Sequence, residues 1–292
     1  MKNNRKGIIL SGGNGTRLYP ITLTVSKQLL PIYDKPMIYY PLCVLMQAGI
    51  REIAIIVTPE CRDQYEALLG NGNKWGIKLT FIEQPKPEGL AQAYLLSEEF
   101  LDGSSSAMIL GDNIFYGNLF SQDLIDADIN KGATIFGYKV ADPSRYGVIE
   151  YNKNRIPIKI IEKPENPPSN IAVTGLYFLD DTASSRAKYI RKSSRGEYEI
   201  TSLLESYLED EILSVKEISE ELTWLDTGTH ESLLEAGEFV RTVQKRHGTQ
   251  VGCPEEIAFK NGWIDKSRLL DQINILEKNS YGKYLKKLLE AL

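Results

Sequence analysis

Lys6 to Pro31 reads KGIILSGGNGTRLYPITLTVSKQLLP, and the reading of this stretch decides the fold. Gly7-Ile8-Ile9-Leu10 is a short apolar run, the pattern of a strand buried on both faces. It breaks into Ser11-Gly12-Gly13-Asn14-Gly15-Thr16, with three glycines in four positions. Such a backbone can come close to a ligand and turn its N–H groups toward an anion. Arg17 follows at once, and Lys27 comes ten positions later. A buried strand, an amide-rich loop and two fixed cations form a device for holding a polyphosphate. The plainer alternative is a glycine-rich turn with surface cations around it. Two better-known loops do not fit. The dinucleotide fingerprint G-x-G-x-x-G lacks its third glycine, since Gly13 starts G-N-G-T-R-L, and Gly15 is followed by Thr-Arg where a P-loop has Lys-Ser/Thr.

Further apolar runs follow at Ile53–Val57, Leu79–Ile82 and Ala107–Leu110. Between them Pro36–Ala48 carries Met37, Tyr40, Pro41, Val44, Leu45 and Ala48 at helical spacing and stops at Gly49. Tyr65–Leu69 and Leu90–Leu101 read as two more helices. Strand and helix alternating to about residue 130 predict a mostly parallel sheet with helices on both faces, and ligands at the carboxyl ends of its strands. The pattern then changes. Ala133–Val140, Gly147–Tyr151, Ile158–Glu162 and Val173–Leu179 read as strands joined by Pro-, Asn- and Ser-rich turns, an insertion with antiparallel pairing. Glu199–Glu209 and Glu231–Arg246 read as amphipathic helices, and the tail after Gly252-Cys253-Pro254 as short helices.

Composition narrows the class. Lys plus Arg number 34 against 39 Asp plus Glu, a net charge of −5, which argues against a general nucleic-acid surface. No apolar run approaches the roughly 20 residues of a spanning helix, and the apolar start is too short for a signal peptide. Cys43, Cys61 and Cys253 are odd in number and lack metal-ligand spacing, which fits a reduced, cytoplasmic setting.

Two aspartates stand where chemistry is expected. Asp112, in Leu110-Gly111-Asp112-Asn113, ends an apolar run and would face the ligand crevice, where a carboxylate suits Mg²⁺. A turn aspartate is the other reading. Asp226, in Trp224-Leu225-Asp226-Thr227-Gly228, has the same ambiguity, because it could cap the helix beginning near Thr229. His230 and His247 read as structural or surface residues.

The motif G-G-x-G-T-R-L-x-P, six residues and then Lys-Gln-Leu-Leu-Pro resembles the signature of the sugar-1-phosphate nucleotidylyltransferases. Ser26–Pro41 resembles the glucose-1-phosphate thymidylyltransferases among them. The likeness continues through LGDNIFYG, RYGVIE, EKP, VTGLYF, GEYEI, WLDTGTH and CPEEIAF, nearly the whole chain. It implies an α/β, Rossmann-like sheet with an antiparallel sugar-side insertion and a small C-terminal helical cap. Residues 1–246 would form the nucleotidyltransferase domain, with the nucleotide part at about 1–130, the sugar part at about 131–230 and the cap at 247–292.

The implied reaction is Mg²⁺-dependent transfer of a deoxythymidylyl group from dTTP to α-D-glucose 1-phosphate, at the head of a deoxysugar route such as that to dTDP-rhamnose. Other nucleotidyl transfers, or a silent sugar-nucleotide-binding subunit, are the alternatives. The resemblance assigns Gly12, Gly13, Gly15, Thr16, Arg17, Gln28, Gln84, Gly89 and Asp112 to the nucleotide. It gives Asn113, Tyr146, Gly147, Glu162, Lys163, Val173 and Tyr177 to the sugar phosphate, and Asp112 and Asp226 to the metal. Arg17, Lys27, Lys163 and the two aspartates would carry catalysis. Tyr116, Gly117, Cys253, Glu256, Ile257 and Lys260 resemble a second site for a dTDP-sugar feedback ligand. Lys260 stands where arginine is expected there, and Asn118-Leu119-Phe120 departs from the pattern. A homotetramer is the implied assembly.

Overall fold

Ile8 and Ile9 are both fully buried but belong to opposite sides of one sheet, which is why Lys6–Leu10 (β1) reads as an unbroken apolar run. The computed structural model describes residues 5–13, 15–117, 120–129, 131–219 and 221–290. After β1 the chain makes a tight hairpin, Pro31–Ile32 (β2) against Lys35–Pro36 (β3), and enters helix α1 at Tyr39–Gln47. The helix therefore starts three residues later than its apolar spacing suggested, because Pro36 is taken by the hairpin. There follow β4 (Glu52–Val57), α2 (Arg62–Leu69), β5 (Lys78–Glu83), α3 (Gln92–Leu96), α4 (Glu98–Leu101), β6 (Ser106–Leu110) and β7 (Asn113–Tyr116). Ser97 divides the expected Leu90–Leu101 helix into α3 and α4.

The second half comprises α5 (Phe120–Ile129), β8 (Ala133–Lys139), β9 (Gly147–Tyr151), β10 (Pro157–Glu162), β11 (Ile171–Leu179), α6 (Ala183–Ala187) and α7 (Ile200–Glu209). It closes with β12 (Leu213–Glu217), β13 (Thr223–Asp226), α8 (His230–His247), α9 (Pro254–Lys260), α10 (Lys266–Leu276) and α11 (Ser280–Glu290).

One nine-stranded sheet carries both halves, with the order β10-β9-β11-β6-β1-β4-β5 and with β8 and β12 branching from β11. Strands β1, β4, β5 and β6 are mutually parallel, as expected. Strands β8, β9 and β6 all pair antiparallel to β11, which stitches the insertion directly to the parallel half. Strand β12, which the sequence reading did not include, runs parallel to β8. On one flank β11 meets β9 at Ala172 and β6 from Leu176 onward, while on the other its pairing with β8 is irregular between Val173 and Tyr177. Its two neighbours diverge there, and the divergence opens a cleft in the middle of the sheet.

The last helices close over α1 through a buried polar knot. Glu255 accepts from the Trp75 indole (2.9 Å) and from the Tyr281 hydroxyl, while Tyr39 meets Trp75 edge-on at 5.6 Å. Among the described residues no helix is long and apolar enough to cross a membrane.

Candidate active site

The parallel strands place their carboxyl ends on one rim. Ser11 N donates to Ile56 O (2.8 Å), Gln84 N to Val57 O (2.8 Å) and Gly111 N to Leu10 O (2.9 Å), so the ladder continues past each strand into the loops above. Those loops line a cavity of about 660 Å³ that continues into the cleft beside β11. Gly13 (φ 114°) and Gly15 (φ 57°) take backbone conformations that glycine adopts without strain. Leu18 N (2.9 Å) and Thr22 Oγ1 (2.7 Å) both donate to Gly15 O and fix the turn. Gly12, Thr16 and Arg17 also line the cavity. A side chain on Gly228 would lie 3.3 Å from Arg17 Nη1 and 3.2 Å from Asp226 Oδ1, so these two groups face each other across that glycine.

Strands β7 and β13 form a separate two-stranded antiparallel sheet in which Asp226 is paired with Asn113. This register brings Asp226 beside Asp112, although 114 positions separate them in the chain. Thr229 caps α8 in a reciprocal pair with Ser232, so Asp226 is not the cap and its carboxylate is left for the cavity.

Asp112 forms an ion pair with Lys27. Burial opposes its ionisation, but the Lys27 charge and hydrogen bonds from Lys27 and Asn113 outweigh that and hold it below the usual carboxylate range. Asp226 is pushed the other way, first by burial and then by the Asp112 charge, against the pull of Lys27, Arg17 and Arg145.

Asn113 serves the carboxylates. Its Oδ1 accepts from the Trp224 indole (2.6 Å) and from Gly175 N (3.1 Å), and its Nδ2 donates to Asp112 Oδ1 (3.1 Å). Among the described residues no cluster of three or more His, Cys, Asp or Glu side chains has a metal-binding arrangement. Two adjacent carboxylates that repel each other at a cavity wall nevertheless suit a hard dication that completes its shell with substrate phosphates.

At one end of the cavity Gln84 is buried against the glycine loop, where a side chain on Gly12 would collide with its amide oxygen. Gln28 lines the same wall, with its Oε1 engaged by Ser26 (2.8 Å) and Tyr65 (3.3 Å). Gly89 (φ 105°) lies flat on the backbone of Tyr198, and a side chain there would come within 2.6 Å of Tyr198 N. Two hydrogen bonds join these segments, Tyr198 N to Glu88 O (2.6 Å) and Ala91 N to Tyr198 O (3.0 Å).

At the other end β10 finishes in Glu162, and Lys163 just beyond it is held at φ 41°, with its N–H on Tyr146 O at 3.0 Å. Lys163 Nζ lies 3.2 Å from Glu162. Val173, Gly175 and Tyr177 line the cleft from β11, with Gly147 opposite. Burial, and then the charges of Glu162 and Asp112, push the Tyr177 hydroxyl far up, so it stays protonated as a donor. The Tyr146 ring leans on Trp224 at 5.3 Å.

Several wall residues were not singled out from the sequence. Arg195 reaches Glu162 (3.5 Å), Glu197 (3.0 Å) and Glu199 (3.4 Å), and Arg145, Thr201 and Trp224 also face the cavity. Arg145 lies in RYGVIE and Trp224 in WLDTGTH, while Arg195 and Thr201 directly flank GEYEI, so the signal was present as motif proximity without a role attached.

Tyr116 and Gly117 line a second cavity of about 110 Å³, together with Tyr40, Cys43, Gln250 and Gly252. Glu256 is instead taken up by Tyr284 (2.8 Å) and Lys260 (2.7 Å), Cys253 is buried beside Glu255, and Ile257 is half-buried against the core, so these four do not line it. Asn118 and Leu119 lie outside the described residues.

Comparison with known proteins agrees with this architecture. The Nucleotidyl transferase family model matches residues 6–243. A glucose-1-phosphate thymidylyltransferase of Xanthomonas campestris is 56% identical over 282 residues, 96% of each chain. That of Mycobacterium tuberculosis is 48% identical over 285 residues, covering 98% of this chain and 99% of its own. Among solved structures, a Bacillus anthracis glucose-1-phosphate thymidylyltransferase in complex with sucrose superposes with a TM-score of 0.75 at 40% identity, over 81% of this chain and 95% of its own. A UDP-glucose pyrophosphorylase complexed with UDP-glucose gives 0.72 at 25% identity, over 82% and 98%. The chain belongs to the nucleotidyl transferase family.

Proposed function

We propose that this enzyme transfers a deoxythymidylyl group from dTTP to α-D-glucose 1-phosphate, giving dTDP-glucose and pyrophosphate. The observation that carries the reading is its end-to-end match, at 56% identity, to a glucose-1-phosphate thymidylyltransferase. The geometry supports it, with an amide-rich loop and two cations at one end of a cavity and a carboxylate–cation wall at the other.

The attacking group is a phosphate oxygen already ionised at neutral pH, so no protein base is needed. No histidine or cysteine lines the cavity among the described residues, which favours direct in-line displacement over a covalent enzyme intermediate. The protein's task is to hold anions together and stabilise the charge that develops on pyrophosphate. In this reading the amides of Gly12, Gly13 and Gly15 and the Arg17 guanidinium hold the leaving phosphates. Lys27 shifts from Asp112 to the triphosphate, and Lys163 holds the sugar phosphate. Glu162 takes sugar hydroxyls, while Gln84, Gly89 and Gln28 hold the base and its sugar. Asp112 and Asp226 are the residues to hold Mg²⁺, which would supply charge neutralisation at the phosphates.

The same reading places the enzyme in the cytoplasm as a homotetramer, with residues 1–130 as nucleotide part, 131–230 as sugar part and 247–292 as cap. Feedback by a dTDP-sugar would act at the second cavity, which must open to admit it, since ligand sites usually span roughly 300–1,000 Å³. An unchanged rate in the presence of dTDP-rhamnose removes that part of the reading.

The deciding assay is pyrophosphate release with Mg²⁺ and glucose 1-phosphate, run in parallel with dTTP, UTP, ATP and GTP. Fast release with dTTP that a chelator abolishes is expected. Preference for another nucleotide overturns the substrate, and no release with any of them overturns the reaction.

A further inference from the structure

We infer that Gln92, which lies behind the cavity wall, sets nucleotide specificity by locking the direction in which Gln84 presents its amide. The inference rests on the dTTP reading above.

The hydrogen bonds around Gln92 have forced polarity. A backbone N–H can only donate, and Glu88 N–H lies 2.9 Å from Gln92 Oε1, so that atom is the oxygen. An ionised carboxylate can only accept, and Glu88 Oε2 lies 3.3 Å from Gln92 Nε2, so that atom is the nitrogen. Lys192 Nζ, 2.6 Å from Glu88 Oε1, holds this carboxylate in place. Gln84 then has no choice. Its amide approaches Gln92 Oε1 at 2.7 Å and must present its nitrogen there. Its oxygen consequently faces Gly12 on the cavity side.

A free glutamine amide is a two-way reader, because a half-turn about its last bond exchanges donor and acceptor. Thymine offers a ring N–H next to a carbonyl oxygen. Cytosine offers the reverse, a bare ring nitrogen next to an amino group. An amide fixed with its oxygen toward the ring nitrogen bonds the first and sets lone pair against lone pair with the second. The Gln84–Gln92–Glu88–Lys192 chain therefore acts as negative selection against cytosine as much as positive selection for thymine. Gln92 never touches the base, so it is a positioning residue.

The experiment compares kcat/KM for dTTP and dCTP, with glucose 1-phosphate as acceptor, in the wild type, Gln92→Leu and the double variant Glu88→Gln/Gln92→Glu. Leucine removes the anchor and frees the amide to turn. The dTTP-to-dCTP ratio should then fall roughly ten- to hundredfold, the effect of one mispaired buried hydrogen bond, with the KM for glucose 1-phosphate unchanged. The double variant restores the polarity, because a glutamate at 92 accepts from Gln84 and the Glu88 N–H while a glutamine at 88 donates to it. Its ratio should return toward the wild-type value. A Gln92→Leu enzyme that keeps the wild-type ratio, or that loses both nucleotides equally and is not rescued by the double variant, overturns the inference. A wild type without preference for dTTP over dCTP overturns the reading beneath it, and the two failures are told apart by the wild-type control.

Discussion

Gly89→Ala tests whether the nucleotide and sugar ends of the site are built as one piece. The added methyl group would sit 2.6 Å from Tyr198 N, where ordinary contact begins at 3.4 Å, so the two backbones must part by nearly an ångström. Backbone cannot turn aside as a side chain can. Separation breaks Tyr198 N to Glu88 O (2.6 Å) and Ala91 N to Tyr198 O (3.0 Å), at about 1 kcal/mol each. Holding alanine at φ 105° adds about 1–3 kcal/mol. The joined arrangement should lose roughly 3–5 kcal/mol, about two to three and a half orders of magnitude in population. Because Glu88 and Gly89 lie on the Gln84 loop, while Tyr198 lies on the segment carrying Arg195 and Glu199, both ends loosen together. Initial rates with each substrate varied in turn should show both KM values rising at least about tenfold. A variant in which only the dTTP KM moves, or neither does, refutes the idea that the two segments are one unit.

Other expectations follow from single contacts. Trp224→Phe keeps the ring packing against Tyr146 but removes the indole donor to the buried Asn113. Loosening of the Asp112 support should then lower kcat about ten- to hundredfold, and an unchanged kcat would show that the Asn113 clamp is dispensable. Arg17→Ala and Asp112→Asn should each slow turnover by orders of magnitude with the circular dichroism spectrum intact, and near-normal activity in either removes that residue from its role. Burial pushes the Cys43 and Cys253 thiols well above their ordinary range, whereas Cys61 is partly open to solvent. Ellman titration at pH 8 should therefore find one fast thiol in the native protein and all three after denaturation. Two or three fast native thiols would contradict the packing of α1 against α9.

The chain itself determined the parallel half. An apolar run that breaks into glycines fixes a buried strand and an amide-rich loop through local sterics alone, and alternation of period 2 with period 3.6 fixes the order of the elements. The glycine loop, Arg17, Lys27 and the strand-end Asp112 were legible for that reason. Other features depended on contacts far apart in sequence, which no local pattern encodes. The meeting of Asp226 with Asp112 rests on the β7–β13 register, and the helix cap that Asp226 might have formed went to Thr229 because Ser232 completes a reciprocal pair with it. The cleft exists because one flank of β11 is shared by β9 and β6, which diverge. Arg195 and Trp224 acquired positions only when their segments folded across that cleft. The polarity of Gln84 was decided last of all. A glutamine in sequence can face either way, and it takes Gln92 on α3, Glu88 in the loop before it and Lys192 in the loop after α6 to remove the choice.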